Sequence, residues 1–122
     1  MQQTNLAKFQ PVEVVTIDGR TVLNNSEEWR LCCEAVCVLR MYEADRAIHM
    51  HKVQQRRGDK GREYLQAELD RIEPAFVLGM ENKHRRRSYL TAVEQGRGVT
   101  TRKNLERSIV RLWEERKRVS DE

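Results

Sequence analysis

The sequence predicts a mainly α-helical protein, a small helical bundle of two tandem helical repeats preceded by an N-terminal β-hairpin. Three observations carry that prediction. The stretch from Val38 to Ile72 is a looser copy of the stretch from Val77 to Trp113 that follows it. Val38-Leu39-x-Met41 matches Val77-Leu78-x-Met80; with one residue gapped in the next loop, Arg46, Met50, Val53, Gln55, Arg57-Gly58, Arg62, Leu65, Leu69 and Arg71-Ile72 fall on Arg86, Leu90, Val93, Gln95, Arg97-Gly98, Arg102, Leu105, Ile109 and Arg111-Leu112. Within both stretches the apolar residues recur at helical spacing. Upstream, β-branched residues flank Asp18-Gly19 in PVEVVTIDGRTVL, a dipeptide that suits a two-residue type I′ turn because both central positions need positive φ.

Taken in order, residues 1–10 are polar and aperiodic and are expected to be a flexible tail. Residues 11–122 are expected to form a single domain, opening with the hairpin at 11–23. A central helix at 26–41 starts at Asn25 or Ser26 as N-cap, with Glu27 and Glu28 near the positive end of the helix dipole. Trp29, Cys32, Cys33, Val36 and Leu39 form one stripe, and Leu31, Ala35 and Val38 extend it on other sides, so this helix is expected to be packed by both repeats. Repeat 1 spans 38–73. Its first helix, about Glu43 to Gln55, carries Ala47, Met50 and Val53; after Arg57-Gly58, with Asp59 as cap, a second carries Leu65, Leu69 and Ile72. Pro74 is expected to stop that helix and open a short one, AFVLGM. Repeat 2 spans 74–118: a helix from about Asn82 to Gln95 buries Tyr89, Leu90 and Val93, and after Gly98 a final helix, capped by Thr100 or Thr101, carries Leu105, Ile109, Leu112 and Trp113. The end, RKRVSDE, is expected to fray. The count is a hairpin and about six helices, two of them short.

Composition narrows the function classes. Charged residues make up 34% and aromatics 6%, which favours solvated helices over a strand-rich core. No apolar run reaches the roughly 18 residues of a membrane span, and MQQTNLAKFQ lacks the plan of a secretory signal, so a cytoplasmic protein is expected. The three cysteines fall within six residues on one helix, where bridging one another would be strained, and are expected as reduced thiols. A net charge of +4 permits nucleic-acid binding without demanding it.

No catalytic constellation emerges. Cys33, Cys37, His49 and His51 match no standard zinc spacing, and buried apolar cysteines explain the first two, so neither metal nor cofactor is expected. A cysteine nucleophile would need a placed base, and no local motif places His49, His51 or His84; a non-enzymatic protein is expected. The basic clusters stand above background. Arg56, Arg57, Lys60 and Arg62 surround one glycine corner, Lys83, Arg85 and Arg87 open the next helix, and Arg97, Arg102 and Lys103 repeat the first cluster. These ten are the candidate binding residues, since cations beside a helix start can hold phosphates or acidic side chains. Arg46 and Arg86, in the first turns of corresponding helices, are expected to bond carbonyls or a neighbouring carboxylate.

Ile17-Asp18-Gly19-Arg20, Ser26-Glu27-Glu28-Trp29-Arg30, Cys33-Glu34-Ala35, Arg86-Arg87-x-Tyr89-Leu90, Arg97-Gly98 and Leu112-Trp113 form a pattern that resembles a family of short uncharacterised phage and prophage proteins. The likeness covers most of the chain if the first repeat is treated as an insertion or duplication, and it implies a phage setting in a bacterial host cell and a helical fold. In that setting the expected function is that of an accessory protein that binds a host or phage protein, for instance a counter-defence inhibitor such as an anti-CRISPR. Nucleic-acid binding through the basic corners is the alternative. A homodimer is expected, with the hairpin edge at Val12 to Leu23 and the two tryptophans, Trp29 and Trp113, as contacts.

Overall fold

A computed structural model of the chain describes residues 10–121, so the expected tail falls, apart from Gln10, outside the described residues. Two short strands, β1 (Glu13–Val15) and β2 (Thr21–Leu23), precede four helices: α1 (Glu27–Leu39), α2 (Glu43–Leu78), α3 (Lys83–Arg97) and α4 (Val99–Asp121). The fold is mainly helical with an N-terminal antiparallel hairpin, as the pattern predicts.

The hairpin pairs Val14 with Val22. Its turn differs from the expected one. Gly19 N–H donates to the Thr16 carbonyl at 3.0 Å and Thr16 N–H to the Arg20 carbonyl at 2.8 Å, which leaves a three-residue loop with Gly19 at φ 95°. A type I′ turn would also need positive φ at Asp18, which it lacks. Asp18 closes the loop instead, accepting from the Thr16 hydroxyl at 2.5 Å and from Arg20 Nε at 2.9 Å. Arg20 then reaches the buried Glu68 of α2 at 2.5 Å, tying hairpin to helix.

Ser26 caps α1, accepting from Trp29 N–H at 3.1 Å. The buried stripe of α1 is Cys32, Ala35, Val38 and Leu39, and among the described elements α1 packs on α2 and β2. The expectation that both repeats would enclose it is corrected, because α3 and α4 pack around the far end of α2. The outer face of α1 is therefore solvated, and Cys33 and Cys37 are exposed rather than core residues.

Within α2, Gly58 takes φ 77°, ψ −175° and divides the helix into limbs of residues 43–57 and 59–78. Asp59 does not cap the second limb; its carboxylate accepts from the Gln54 amide at 2.9 Å. Pro74 does not stop it either. A proline removes one N–H···O bond, but Ile72, Ala75 and Val77 around it are buried on both sides of the helix, and this packing carries the limb on to Leu78. The expected short helix AFVLGM is the end of α2. Asn82 caps α3 by accepting from Arg85 N–H at 2.9 Å. At the end of α3 Gly98 takes φ 99°, ψ 165°, much the same conformation as Gly58, and α4 starts directly after it. No threonine cap intervenes: the Thr101 hydroxyl donates back to the Arg97 carbonyl at 3.1 Å. The end expected to fray is helical through Asp121.

The second limb of α2 is shared. Its first part, with Leu65, Leu69 and Ile72, completes one core with Cys32, Ala35, Val38, Leu39, Met50 and Val53. Its end, with Val77, builds a second with Val93 and Leu105, flanked by Met80, Tyr89, Leu90 and Ile109. Phe76 packs against both. The matched residues Val53/Val93, Leu65/Leu105 and Leu69/Ile109 thus face two cores rather than one. A limb of this length, roughly 30 Å at 1.5 Å per residue, reaches from one helical unit into the next, so each partner faces the core of its own unit.

Both corner glycines need a left-handed φ but have open space where a Cβ would stand, so the cost of a side chain there is conformational. Gly58→Val and Gly98→Val are each expected to lower stability by about 1–2 kcal/mol, read as a shift of the urea midpoint. No shift at one of them would show that its corner relaxes to another conformation.

Candidate binding groove

The turns place one side-chain arrangement at two points. Glu34 of α1 receives Arg57 in a fork, Nη1 to Oε1 and Nη2 to Oε2 both at 2.8 Å, and lies 3.3 Å from His49 Nε2. Glu73 of α2 receives Arg97 in the same fork at 3.0 and 2.6 Å, and the Tyr89 hydroxyl donates to it. Glu73 follows Glu34 by 39 positions, while Arg97 and Tyr89 follow Arg57 and His49 by 40, the offsets that relate the matched residues before and after the gap. Arg62 reaches Gln54 Oε1 at 2.5 Å where Arg102 lies 3.6 Å from Glu94 Oε1. Arg46 donates to the Leu39 and Met41 carbonyls at 2.7 and 3.4 Å, and Arg86 to the Met80 carbonyl at 2.8 Å. Each lock fastens an arginine–glycine corner to the helix that precedes its unit.

The second lock is the more buried: the Glu73 side chain is 7% exposed against 22% for Glu34. Arg46 joins it, with Nη1 3.4 Å from Glu73, Nη2 donating to Tyr89 Oη at 2.7 Å, and the guanidinium 5.3 Å from the Tyr89 ring centre. Glu43 lies 3.2 Å from Arg97 and 3.5 Å from Arg46, so two cations meet two carboxylates. Burial pushes the Glu73 carboxyl up, but the bonds from Arg97 and Tyr89 and the charges of Arg97 and Arg46 outweigh it and hold the group below its ordinary 4.5. Burial and the neighbouring Glu73 push the Tyr89 phenol far up, so it stays protonated as a donor. Hydrogen bonds from Arg57 hold Glu34 below 4.5 against its burial.

Carboxyls whose folded pKa lies below the unfolded value contribute stability that is present above the unfolded pKa and lost as pH falls through the folded one. Glu34, Glu73 and Asp18 are all lowered in this way; for Asp18, burial is outweighed by Thr16 and Arg20. The urea midpoint should therefore be level above about pH 5 and fall below it, with a shallower fall in Glu34→Gln. A midpoint that rises as the solution is acidified would contradict the locks.

Against the Arg46–Tyr89 wall lies a groove of about 1020 Å³ between the end of α1, both ends of α2, α3 and Arg116 of α4. Ile17, Val36, Leu39, Met41, Phe76 and Met80 give it apolar lining, and Arg40, His84, Arg85 and Arg116 stand along it. Its acids are Glu81 and Glu43, the latter already engaged by Arg97 and Arg46. The lining is thus apolar with a net positive border.

Of the ten candidate binding residues, Arg57 and Arg97 are lock residues, and Arg62 and Arg102 are tied to Gln54 and to Glu94 and Glu106. Arg56, Lys60, Lys83, Arg85, Arg87 and Lys103 are exposed, and among them Arg85 borders the groove. Arg40, Arg116, Glu73 and the Tyr89 hydroxyl were missed as site residues. Arg116 gave no signal because the segment around it is polar and aperiodic; Glu34 and Glu73 precede the matched stretches, but their common 39-residue offset could have found them.

Among the described residues no helix is long and apolar enough to cross a membrane, and no three His, Cys, Asp or Glu side chains are grouped to hold a metal ion. A family model described as "Family of unknown function (DUF7696)" matches residues 22–75, somewhat under half of the chain. That match runs through β2, α1 and α2 to just past the Glu73 lock. It spans the first repeat, residues 38–73. No curated protein and no solved structure matches the chain.

Proposed function

We propose that this protein works by binding, and that the groove receives an amphipathic, acidic segment of a host or phage protein. The groove itself supports this most directly. An apolar lining with two methionines adapts to a partner's side chains, and the cations along it select acidic neighbours and steer their approach. At about 1020 Å³ it sits at the upper end of small-molecule sites, roughly 300–1,000 Å³, and an amphipathic helix docks by laying its apolar face in such a groove. The resemblance to phage proteins favours an accessory role in the bacterial cytoplasm, with inhibition of a host defence machine, as by anti-CRISPR proteins, as its most specific form. The two locked units are read as tandem copies of one ancestral unit.

Pull-downs from an expressing host with the wild-type chain and with the Arg85→Glu/Arg116→Glu variant test this. Both residues are exposed and belong to neither lock. A stoichiometric protein captured by the wild type and lost by the variant supports the groove. Equal capture by both overturns it.

One observation favours nucleic acid as a second reading. Helices α1 and α2 begin with acidic residues, whereas the first turn of α3 has none and instead carries Lys83 and Arg85. Cations there oppose the helix dipole by about 0.3–1 kcal/mol each, so they are not placed for helix stability. Titration with duplex DNA and with RNA should then show affinity that falls steeply with salt. Affinity that does not change between low and physiological salt excludes this reading.

A further inference from the structure

Cys33 and Cys37 are exposed one turn apart on the outer face of α1, whereas Cys32 is buried in the first core. Side chains four residues apart on a helix have Cβ atoms about 5–6 Å apart. A disulfide needs about 3.5–4.5 Å, so the two thiols cannot close on each other without unwinding the helix. The same spacing suits two sulfurs on one metal ion: with metal–sulfur bonds of about 2.3 Å, tetrahedral ligands stand roughly 3.8 Å apart, within reach of two converging side chains. Arg30 of α1, three residues before Cys33, and Arg40, the C-cap residue three after Cys37, are exposed.

We propose that Cys33 and Cys37 form half of a site for a thiophilic divalent metal, zinc or cadmium, completed by the same pair from a second copy of this chain. With no third ligand grouped near them among the described residues, the chain supplies two of the four donors a closed tetrahedral site takes, and two-fold symmetry supplies the same two again. On binding, the four thiols release four protons and the metal gains four thiolates; no electrons move. The resulting centre carries a charge of about −2, and Arg30 and Arg40 of both copies set four guanidinium groups around it.

The test titrates the reduced, metal-free full chain with cadmium chloride, following the thiolate-to-cadmium charge-transfer absorption in the ultraviolet and the mass by light scattering, with zinc run in competition. Absorption should saturate at one cadmium per two chains, the mass should double, and a chelator should reverse both. Cys33→Ser/Cys37→Ser, which keeps the buried Cys32 and the far-ultraviolet spectrum of the fold, should lose both signals. The proposal is overturned by absence of the band, by its survival in the double variant, by saturation at one metal per chain with unchanged mass, or by a dimer that forms equally without metal.

Discussion

Replacing Glu73 with Ala is expected to destabilise the protein by about 3–5 kcal/mol. The carboxylate lies between Arg97 and Arg46 and accepts from Tyr89, and without it two guanidinium groups stay in a largely buried pocket with only Glu43 in reach. Folded domains of this kind have about 5–15 kcal/mol in total, so the variant should unfold at a much lower urea concentration and give up the wall of the groove with it. Glu73→Gln keeps the shape and part of the hydrogen bonding, and should lose less. A Glu73→Ala midpoint within error of wild type would mean that the arginines find solvent easily and that the lock contributes nothing.

The second large effect is expected at Leu65→Ala, at about 2–5 kcal/mol. Leu65 is 0% exposed in the first core, on the limb of α2 that serves both units, and truncation leaves a void enclosed by helices on either side. Leu105→Ala, at the corresponding place in the smaller second core, should cost less, because fewer buried neighbours surround it and α4 is solvated beyond Leu112. Chemical denaturation of the two variants gives the comparison, and a larger loss at Leu105 would reverse the assignment of the main core.

How much of this was legible in the sequence depended on the range of the interaction concerned. Turns and caps are local: Asp18-Gly19 placed the hairpin, Asn25 or Ser26 the start of α1, where the cap is Ser26, and Arg57-Gly58 and Arg97-Gly98 the two corners. Even there the turn type depended on Asp18 accepting from Thr16 and Arg20, which the dipeptide does not show. Apolar spacing found Val53, Leu65, Val93 and Leu105, yet misjudged Cys33 and Cys37, because a cysteine reads as apolar whichever side of a helix it occupies, and only the packing of α1 on one neighbour left them outside. Pro74 misled for the converse reason: its local effect is to end helices, and the burial of Ile72, Ala75 and Val77 around it overrode that. Arg97 was singled out as a surface cation and is a lock residue, since its partner lies 24 positions earlier. The groove was not legible at all, being formed by four helices that meet only in the fold.

The locks can be tested most directly by double-mutant cycles at both of them, Glu34→Gln with Arg57→Met and Glu73→Gln with Arg97→Met, with stability measured by urea unfolding. Two copies of one arrangement should each show favourable coupling. It should be about 1–3 kcal/mol at the buried Glu73–Arg97 pair, and only about 0.2–1 kcal/mol at Glu34–Arg57, where Arg57 is half exposed and solvent screens the charge. Additivity at Glu73–Arg97 to within about 0.5 kcal/mol, or a coupling at Glu34–Arg57 that exceeds it, would contradict a lock built twice and buried where it walls the groove.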